Sequence, residues 1–469
     1  MQKNASIKLN FVMNIILTAS AFLFSVVTSP YVSRILLPEG TGRIAFAVSI
    51  TSYFALIARL GIPTYGIRAC AQVQDHPEEL TRTAQEIFLI NVVMTAVVYL
   101  VFFSSLILIP SFRQESLLLL ICSTTMILNL LGVEWLYKAL EQYRAMAVRS
   151  LVFNLAAILL TFLLVHTKED LAVYGAITVF ANVGANGLNF FYARKYISFT
   201  PCKGYQFTRH LKPVFVLFAL SVATTIYTNL DVVMLRMMTD SQEVGYYDAA
   251  VKIKNLMVIF ATSLGTVLLP RISYYVKTDQ QSQFHHLIKK SFSFVALTAL
   301  PLCLYFILMA EECISFIFGH AYLSAAGAVK IILPTVFLIG LTNVIGIQML
   351  VPLGKEHLVV YSTCAGAAVD VILNALLIPQ YRSAGAAMGT LVAEITVLLV
   401  QLWFIRAQLP AFCGALQLKK ILAALIPASI LLVLLHQMLQ TGSLLTLCIT
   451  SGGFFILYGF ILILSRYRL

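Results

Sequence analysis

The sequence predicts an all-α membrane protein of about 14 transmembrane helices, built as two parallel six-helix lobes plus a C-terminal two-helix hairpin. Three observations predict it. The 469 residues are 60% hydrophobic and only 11% charged, far from the balance of a soluble globular chain. Apolar runs of the roughly 20 residues that a spanning helix needs follow one another along the chain. An eight-residue polar pattern also occurs twice, Asn129-x-x-Gly132-x-Glu134-x-Leu136 and Asn343-x-x-Gly346-x-Gln348-x-Leu350, each time at the end of such a run. Polar groups inside a membrane are costly, so a repeated polar pattern there is the mark of a duplicated transport machine.

Spans one to fourteen are expected near 10–37, 43–62, 86–109, 117–138, 148–166, 171–192, 213–237, 248–270, 291–310, 324–351, 357–378, 386–406, 421–437 and 444–464. The first follows a basic N-terminus, as a signal peptide does. It nevertheless runs past about 25 residues, lacks an A-x-A-like cleavage site and leads into another span, so it is expected to be retained. Pro30 is expected to interrupt it. The net charge of +12 is not gathered in one patch, which argues against nucleic acid as a partner. With the N-terminus in the cytoplasm, 22 of the 32 Lys and Arg fall inside and 9 on or toward the outside, with Arg59 within a span. That is the positive-inside pattern, and it puts both termini in the cytoplasm.

The two polar patterns are 214 positions apart; Gly42 and Gly245, each leading to an Ala-Val-x-Ile stretch, are 203 apart, and Gly175-Ala176 and Gly385-Ala386 are 210 apart. All three offsets lay spans one to six onto spans seven to twelve. Six is even, so paired spans cross in the same direction and the halves are parallel repeats. The expected organisation is an N-terminal six-helix lobe at 1–200, a C-terminal six-helix lobe at 201–412, and two additional transmembrane helices at 413–469. The interface of the lobes is expected to form the substrate path.

Helical phase then sorts the polar residues. Ser221, Thr224, Thr225, Thr228 and Asp231 share an arc of span seven; Lys252, Asn255, Thr262, Ser263 and Thr266 share one of span eight. Lys254 lies about 200° from Lys252 and is expected to snorkel to the outer interface. Thr363, Asp370 and Asn374 share a face of span eleven, and Thr390, Glu394 and Gln401 one of span twelve. Each has a structural alternative. Asp231 could neutralise Lys252 or Arg236, Ser and Thr stripes also hold helices together, and Glu134 has Lys138 one turn on as an ion-pair partner. Trp135 and Trp403 are expected as interfacial anchors. The eight cysteines are scattered, without C-x-x-C spacing or a His partner, and read as small apolar core residues rather than a metal site.

Several of these residues also carry a resemblance. Asn229-Leu-Asp231 through Glu243-Val-Gly245-Tyr246-Tyr247-x-Ala249-Ala250-x-Lys252, followed by Leu269-Pro270-Arg271, resembles the second-half signature of the Wzx-type polysaccharide-repeat flippases. These belong to the multidrug/oligosaccharidyl-lipid/polysaccharide exporter superfamily. Gly132-x-Glu134-Trp135-x-Tyr137-x-Ala-x-Glu141 is similar to that family's fourth-span pattern, and Leu373-Asn374-x-x-x-Ile378-Pro379-x-Tyr381 with Gly385-Ala386-Ala387 to its corner between spans eleven and twelve. The stretch Arg34-Ile-Leu36-Leu37-Pro38-Glu39-Gly40 departs from the family, lacking the usual Gly after Arg-x-Leu.

The resemblance covers about residues 5 to 410. It implies a bacterial inner-membrane flippase, not an enzyme, that moves undecaprenyl-pyrophosphate-linked oligosaccharide by alternating access for surface polysaccharide biosynthesis. Membrane lipid and polysaccharide assembly proteins are its implied partners. A basic residue of span eight matters in related peptidoglycan-lipid flippases, and the A-x-K match places Lys252 there. Physical chemistry is consistent with this cargo: an anionic, hydrated head needs a polar cationic cavity while its tail stays in lipid. Lys252, Arg59 and Arg34 are the candidates for the diphosphate, and Asn255 and Thr228 for sugar hydroxyls. Asp231, Asp370, Glu394 and Glu134 are the candidates for coupling or gating. No cofactor is expected beyond H+ or Na+ as a coupling ion. The rival readings are a cation-coupled multidrug or metabolite exporter of the same superfamily, disfavoured by Lys252 on the polar stripe, and a polysaccharide polymerase or ligase, disfavoured by short external connections.

Overall fold

The computed structural model describes residues 7–408, 417–439 and 443–465, with side chains for all of these except residues 7–12, 14–22, 219, 220, 223, 224, 226–228, 266 and 443. Regular structure among the described residues is entirely helical. Ten helices are long and apolar enough to cross a membrane, and a bent pair across 320–350 makes an eleventh. Two of the ten are double. Ile7–Arg59, at 53 residues, would be roughly 80 Å long as one helix, far more than the ~30 Å of a hydrocarbon core. It breaks at Leu37 (φ 58°, ψ 178°). Pro38 follows, and a proline disfavours α conformation in the residue before it. Glu356–Phe404 breaks likewise at Arg382 (φ 51°, ψ −126°), three residues past Pro379. With Thr208–Met238, a further helix of spanning length, the architecture accords with about 14 spans. The interruption expected at Pro30 does not occur: helix continues through it, and Ser33 Oγ and the Arg34 guanidinium both bond the Pro30 carbonyl.

The chain divides into two compact units, Met1–Asn229 and Leu230–Leu469. In the first, span four is two helices, Ser116–Gly132 and Glu134–Ala139, separated by Val133 in the left-handed region (φ 37°, ψ 37°). The break turns Trp135 into a buried cluster with Leu60, Ile62, Tyr65, Ile87 and Leu136. Its indole lies so close to Gly66 that a Cβ there would come within 2.8 Å of the ring. Trp135 is therefore core and not the interfacial anchor the sequence suggested. Trp403 is 61% exposed.

Also in the first unit, the segment entering span seven is tied to span three, Pro77–Leu108. Glu86 is fully buried and accepts bonds from Arg209 (2.7 and 3.1 Å), His210 Nε2 (2.6 Å) and the Gln206 amide (2.6 Å). The Tyr65 hydroxyl shares a 2.7 Å bond with His210 Nδ1. Next to it, Gln85 Nε2 donates to the carbonyls of Ser198 and Thr200, both at 2.8 Å.

In the second unit, Leu418–Met438 and Ser443–Leu464 pack on each other and on Gln281–Leu308. Ile421, Ala424 and Phe454 meet Ala296 and Tyr305 in one buried cluster. The Tyr305 and Tyr458 hydroxyls donate to the Leu447 and Leu297 carbonyls, each at 3.1 Å. Between spans, Lys330 at 2.8 Å holds the Glu311 carboxyl below the usual range. Burial pushes the Cys313 thiol up to about 12, so it stays an inert thiol. Cys70, Cys122 and Cys303 are likewise buried, whereas Cys202 is half-buried and Cys364 and Cys448 face outward. Cys413 lies outside the described residues.

Candidate functional site: a buried carboxylate cluster in the second unit

Four spans of the second unit deliver charged and polar side chains to one place. Asp231 comes from span seven, Tyr247 and Lys254 from the Ser241–Lys277 helix, Asp370 and Asn374 from span eleven, and Thr390 and Glu394 from span twelve. The spacing explains the convergence: Asp370 and Asn374, and Thr390 and Glu394, are one turn apart, while Tyr247 and Lys254 are two turns apart, so each pair shares a helix face. Asp231 is the centre. Its Oδ1 accepts from Asn374 Nδ2 at 2.7 Å, and its Oδ2 from Thr390 Oγ1 at 3.0 Å and from the Tyr247 hydroxyl. Tyr247 and Thr390 are themselves 2.8 Å apart. Asp370 Oδ1 is buried without a partner, as is Asn374 Oδ1. The charges of Glu394, Asp231 and Asp370 all act on Lys254. All three carboxyls are buried.

Gly389 lets span twelve close on this cluster. A Cβ at that position would stand 2.2 Å from Asn374 Oδ1 and 3.2 Å from Asp370 Oδ1. We expect Gly389→Ala to push Asn374 off Asp231 and to cut transport at least about tenfold, since breaking one buried charged hydrogen bond costs roughly 1.5–3 kcal/mol. Wild-type transport by that variant at equal protein level would contradict the geometry.

The other sequence candidates fall elsewhere. Lys252 makes a 2.7 Å ion pair with Asp248 one turn before it. Lys254, expected to snorkel outward, instead shares the helix face of Tyr247 and lies in the field of the three carboxyls, without an ion pair to any of them among the described residues. Asn255 is exposed, and Arg34 is exposed and bonded to the Pro30 carbonyl. Thr228 lies outside the described side chains. Glu134 pairs with Lys138 at 3.4 Å, as their spacing suggested. In the first unit the two line a small cavity together with Arg59, Asn91, Asn129 and Trp135. Arg59 makes no ion pair among the described residues, and Asn91 Oδ1 is buried without a partner. Among the described residues no three His, Cys, Asp or Glu side chains are grouped to hold a metal ion.

Sequence reasoning found Asp231, Asp370, Asn374, Thr390 and Glu394, but missed Lys254 and Tyr247. The signal was present. Tyr247 and Lys254 are spaced by seven, and that stripe holds the charge that three carboxyls require.

The profile of the polysaccharide biosynthesis protein family matches residues 7–276, more than half of the chain. The chain belongs to that family. Its motifs pointed the same way. It is 25% identical over 403 residues to the putative O-antigen transporter of Escherichia coli (strain K12), covering 86% of this chain and 97% of that protein. Among solved structures, a lipid II flippase MurJ in an inward closed conformation matches with a TM-score of 0.76, 15% identity and 98% and 99% of the two chains covered. An inward-facing multidrug resistance MATE transporter of the MOP superfamily matches with a TM-score of 0.65 at 12% identity, over 84% of this chain and 96% of that one. At such identities these two establish the fold alone, which the chain shares with both.

Proposed function

We propose that this protein is a flippase that carries undecaprenyl-pyrophosphate-linked oligosaccharide repeat units across the bacterial cytoplasmic membrane by alternating access, for surface polysaccharide biosynthesis. The observation that carries this reading is the pairing of a polysaccharide biosynthesis family with a MOP carrier fold. The full-length likeness to a putative O-antigen transporter supports the cargo class. In this reading Lys252, Arg59 and Arg34 meet the diphosphate, Asn255 and Thr228 meet sugar hydroxyls, and Glu134 gates by releasing Lys138 to the incoming anion. The six-helix lobes at 1–200 and 201–412 are the moving bodies, flanked by 413–469.

The buried cluster supplies the drive. Buried carboxyls gathered in one place do not all ionise cheaply in a low dielectric. A proton or sodium ion arriving at Asp231 and Asp370, or at Glu394 beside Lys254, is therefore a way to reset the empty carrier. An inside-negative potential adds about 2.3 kcal/mol per charge per 100 mV and favours outward movement of an anion.

The test is reconstitution. Proteoliposomes holding the purified chain and undecaprenyl-pyrophosphate-linked oligosaccharide are expected to expose the sugar to an impermeant glycosidase faster than protein-free vesicles, and faster still under a proton or sodium gradient. No acceleration under any gradient would reject the flippase reading. Orientation is tested separately: impermeant labelling of single cysteines is expected to find 193–212 and 270–290 on the cytoplasmic side and 238–246 and 311–323 outside. Labelling of 193–212 from outside would reverse the topology.

A further inference from the structure

The twice-occurring polar pattern lies at a helix irregularity in both units. In the first, Gly132 precedes Val133, a β-branched residue held at φ 37°, an arrangement that persists only where its surroundings over-determine it. In the second, Gly346 lies within a π-helical stretch, Val344–Leu350, in place of regular α-helix.

Each glycine, moreover, receives an amide side chain from the sixth span of its own repeat. A Cβ on Gly132 would lie 2.6 Å from the amide carbon of Asn186, and one on Gly346 would lie 3.2 Å from Gln401 Nε2. Asn186 and Gln401 are 215 positions apart, against 214 for the two patterns, so they occupy matching places to within one residue. Both are buried, and both keep one amide atom without a partner: Asn186 Nδ2 and Gln401 Oε1. The other amide atom is bonded, Asn186 Oδ1 to Asn189 Nδ2 at 3.2 Å and Gln401 Nε2 to Ser362 Oγ at 3.2 Å.

We infer that the repeated pattern is a swivel joint built twice, in which Gly132 and Gly346 permit the break and Asn186 and Gln401 are positioning residues that hold the ends of spans four and ten at their angle. A break strips backbone groups of their intrahelical partners. The spare Asn186 Nδ2, 2.7 Å from a Cβ on Gly132, and the spare Oε1 of the Gln401 amide that meets Gly346 are the groups placed to take one up as the joint turns. An orphaned buried amide costs free energy in the state seen here, and that cost is returned in the turned state. The joint thus has two arrangements of similar energy, which a carrier that changes shape requires.

The export arm of the test rests on the proposed translocation, so hydrogen exchange, which needs no substrate, is measured beside it. In the purified protein, Asn186→Ala is expected to speed exchange of segment 133–142 several-fold while 143–164 is unchanged. Surface glycan, at matched protein level, is expected to fall about tenfold with Gly132→Ala and with Asn186→Ala, and by no more than that in the double variant, because residues in contact act as one unit. Multiplying losses in the double variant would overturn the inference. So would normal export per molecule by Asn186→Ala, with only its thermal stability lowered. Should Gly132→Ala not accumulate, Gly346→Ala with Gln401→Ala, where the contact is looser, is read by the same rule. If the wild type moves no glycan, the proposed function fails, and unchanged exchange in Asn186→Ala would then be what rejects the joint.

Discussion

Asp231→Asn is expected to abolish glycan export at normal protein level, and Lys254→Ala to do the same. Asparagine keeps the shape of the side chain but turns one acceptor of Asp231 into a donor, and Asn374, Tyr247 and Thr390 all deliver donors to it. It also removes one of the charges that act on Lys254. Lys254→Ala removes the cation whose field reaches Asp231, Asp370 and Glu394, and leaves three buried carboxyls in its place. The double change Asp231→Asn, Lys254→Ala separates two roles. Were the carboxylate only a counter-charge to Lys254, removing both would restore export relative to Lys254→Ala, since Asp231 is then no longer left as a buried charge beside Asp370 and Glu394. A working carboxylate leaves the double variant inactive. Surface glycan measured at matched expression decides, and near-normal export by the double variant would remove Asp231 from the cycle. Lys252→Ala belongs in the same series: if Lys252 holds the diphosphate, export is lost, although the lysine is here bonded to Asp248.

The membrane class and the spans, with the end of the first near residue 37, were legible because each rests on local chemistry, a run of apolar residues; the proline effect was placed at Pro30, whereas it acts at Leu37, before Pro38. The faces of spans eleven and twelve were legible for the same reason, since Asp370 with Asn374 and Thr390 with Glu394 are one turn apart. Lys254 was misjudged because phase was measured against Lys252, and the sequence does not say which of two lysines on opposite faces turns inward. Tyr247 bonds Asp231 across 16 positions and Thr390 across 143, pairings that only the fold supplies. Trp135 misled because its place at the end of a span looks interfacial. The left-handed Val133 that turns it inward has no residue signature, since valine is among the side chains least suited to positive φ. The doubled pattern itself was visible, but its partners Asn186 and Gln401 lie far along the chain from the glycines they touch.

Glu86→Ala is expected to be the most destabilising single change in the first unit. Glu86 is fully buried and is the common acceptor for the Arg209 guanidinium, His210 Nε2 and the Gln206 amide. Truncation leaves a cation and an imidazole without their acceptor, a loss of the order of 3–5 kcal/mol for a broken buried pair. Neighbouring Gln85 serves as the control. It ties the same segment through Ser198 and Thr200, but at the exposed edge, where a hydrogen bond is worth about 0.5–1.5 kcal/mol. At roughly 2–4 °C per kcal/mol for a unit of this size, Glu86→Ala is expected to lower the unfolding temperature in detergent by about 10 °C, and Gln85→Ala by only a few degrees. Glu86→Gln should fall between them, because it keeps one acceptor oxygen but loses the charge that Arg209 faces. Equal shifts for Glu86→Ala and Gln85→Ala would mean that the linker, and not the buried carboxylate, sets the stability of this end of the unit.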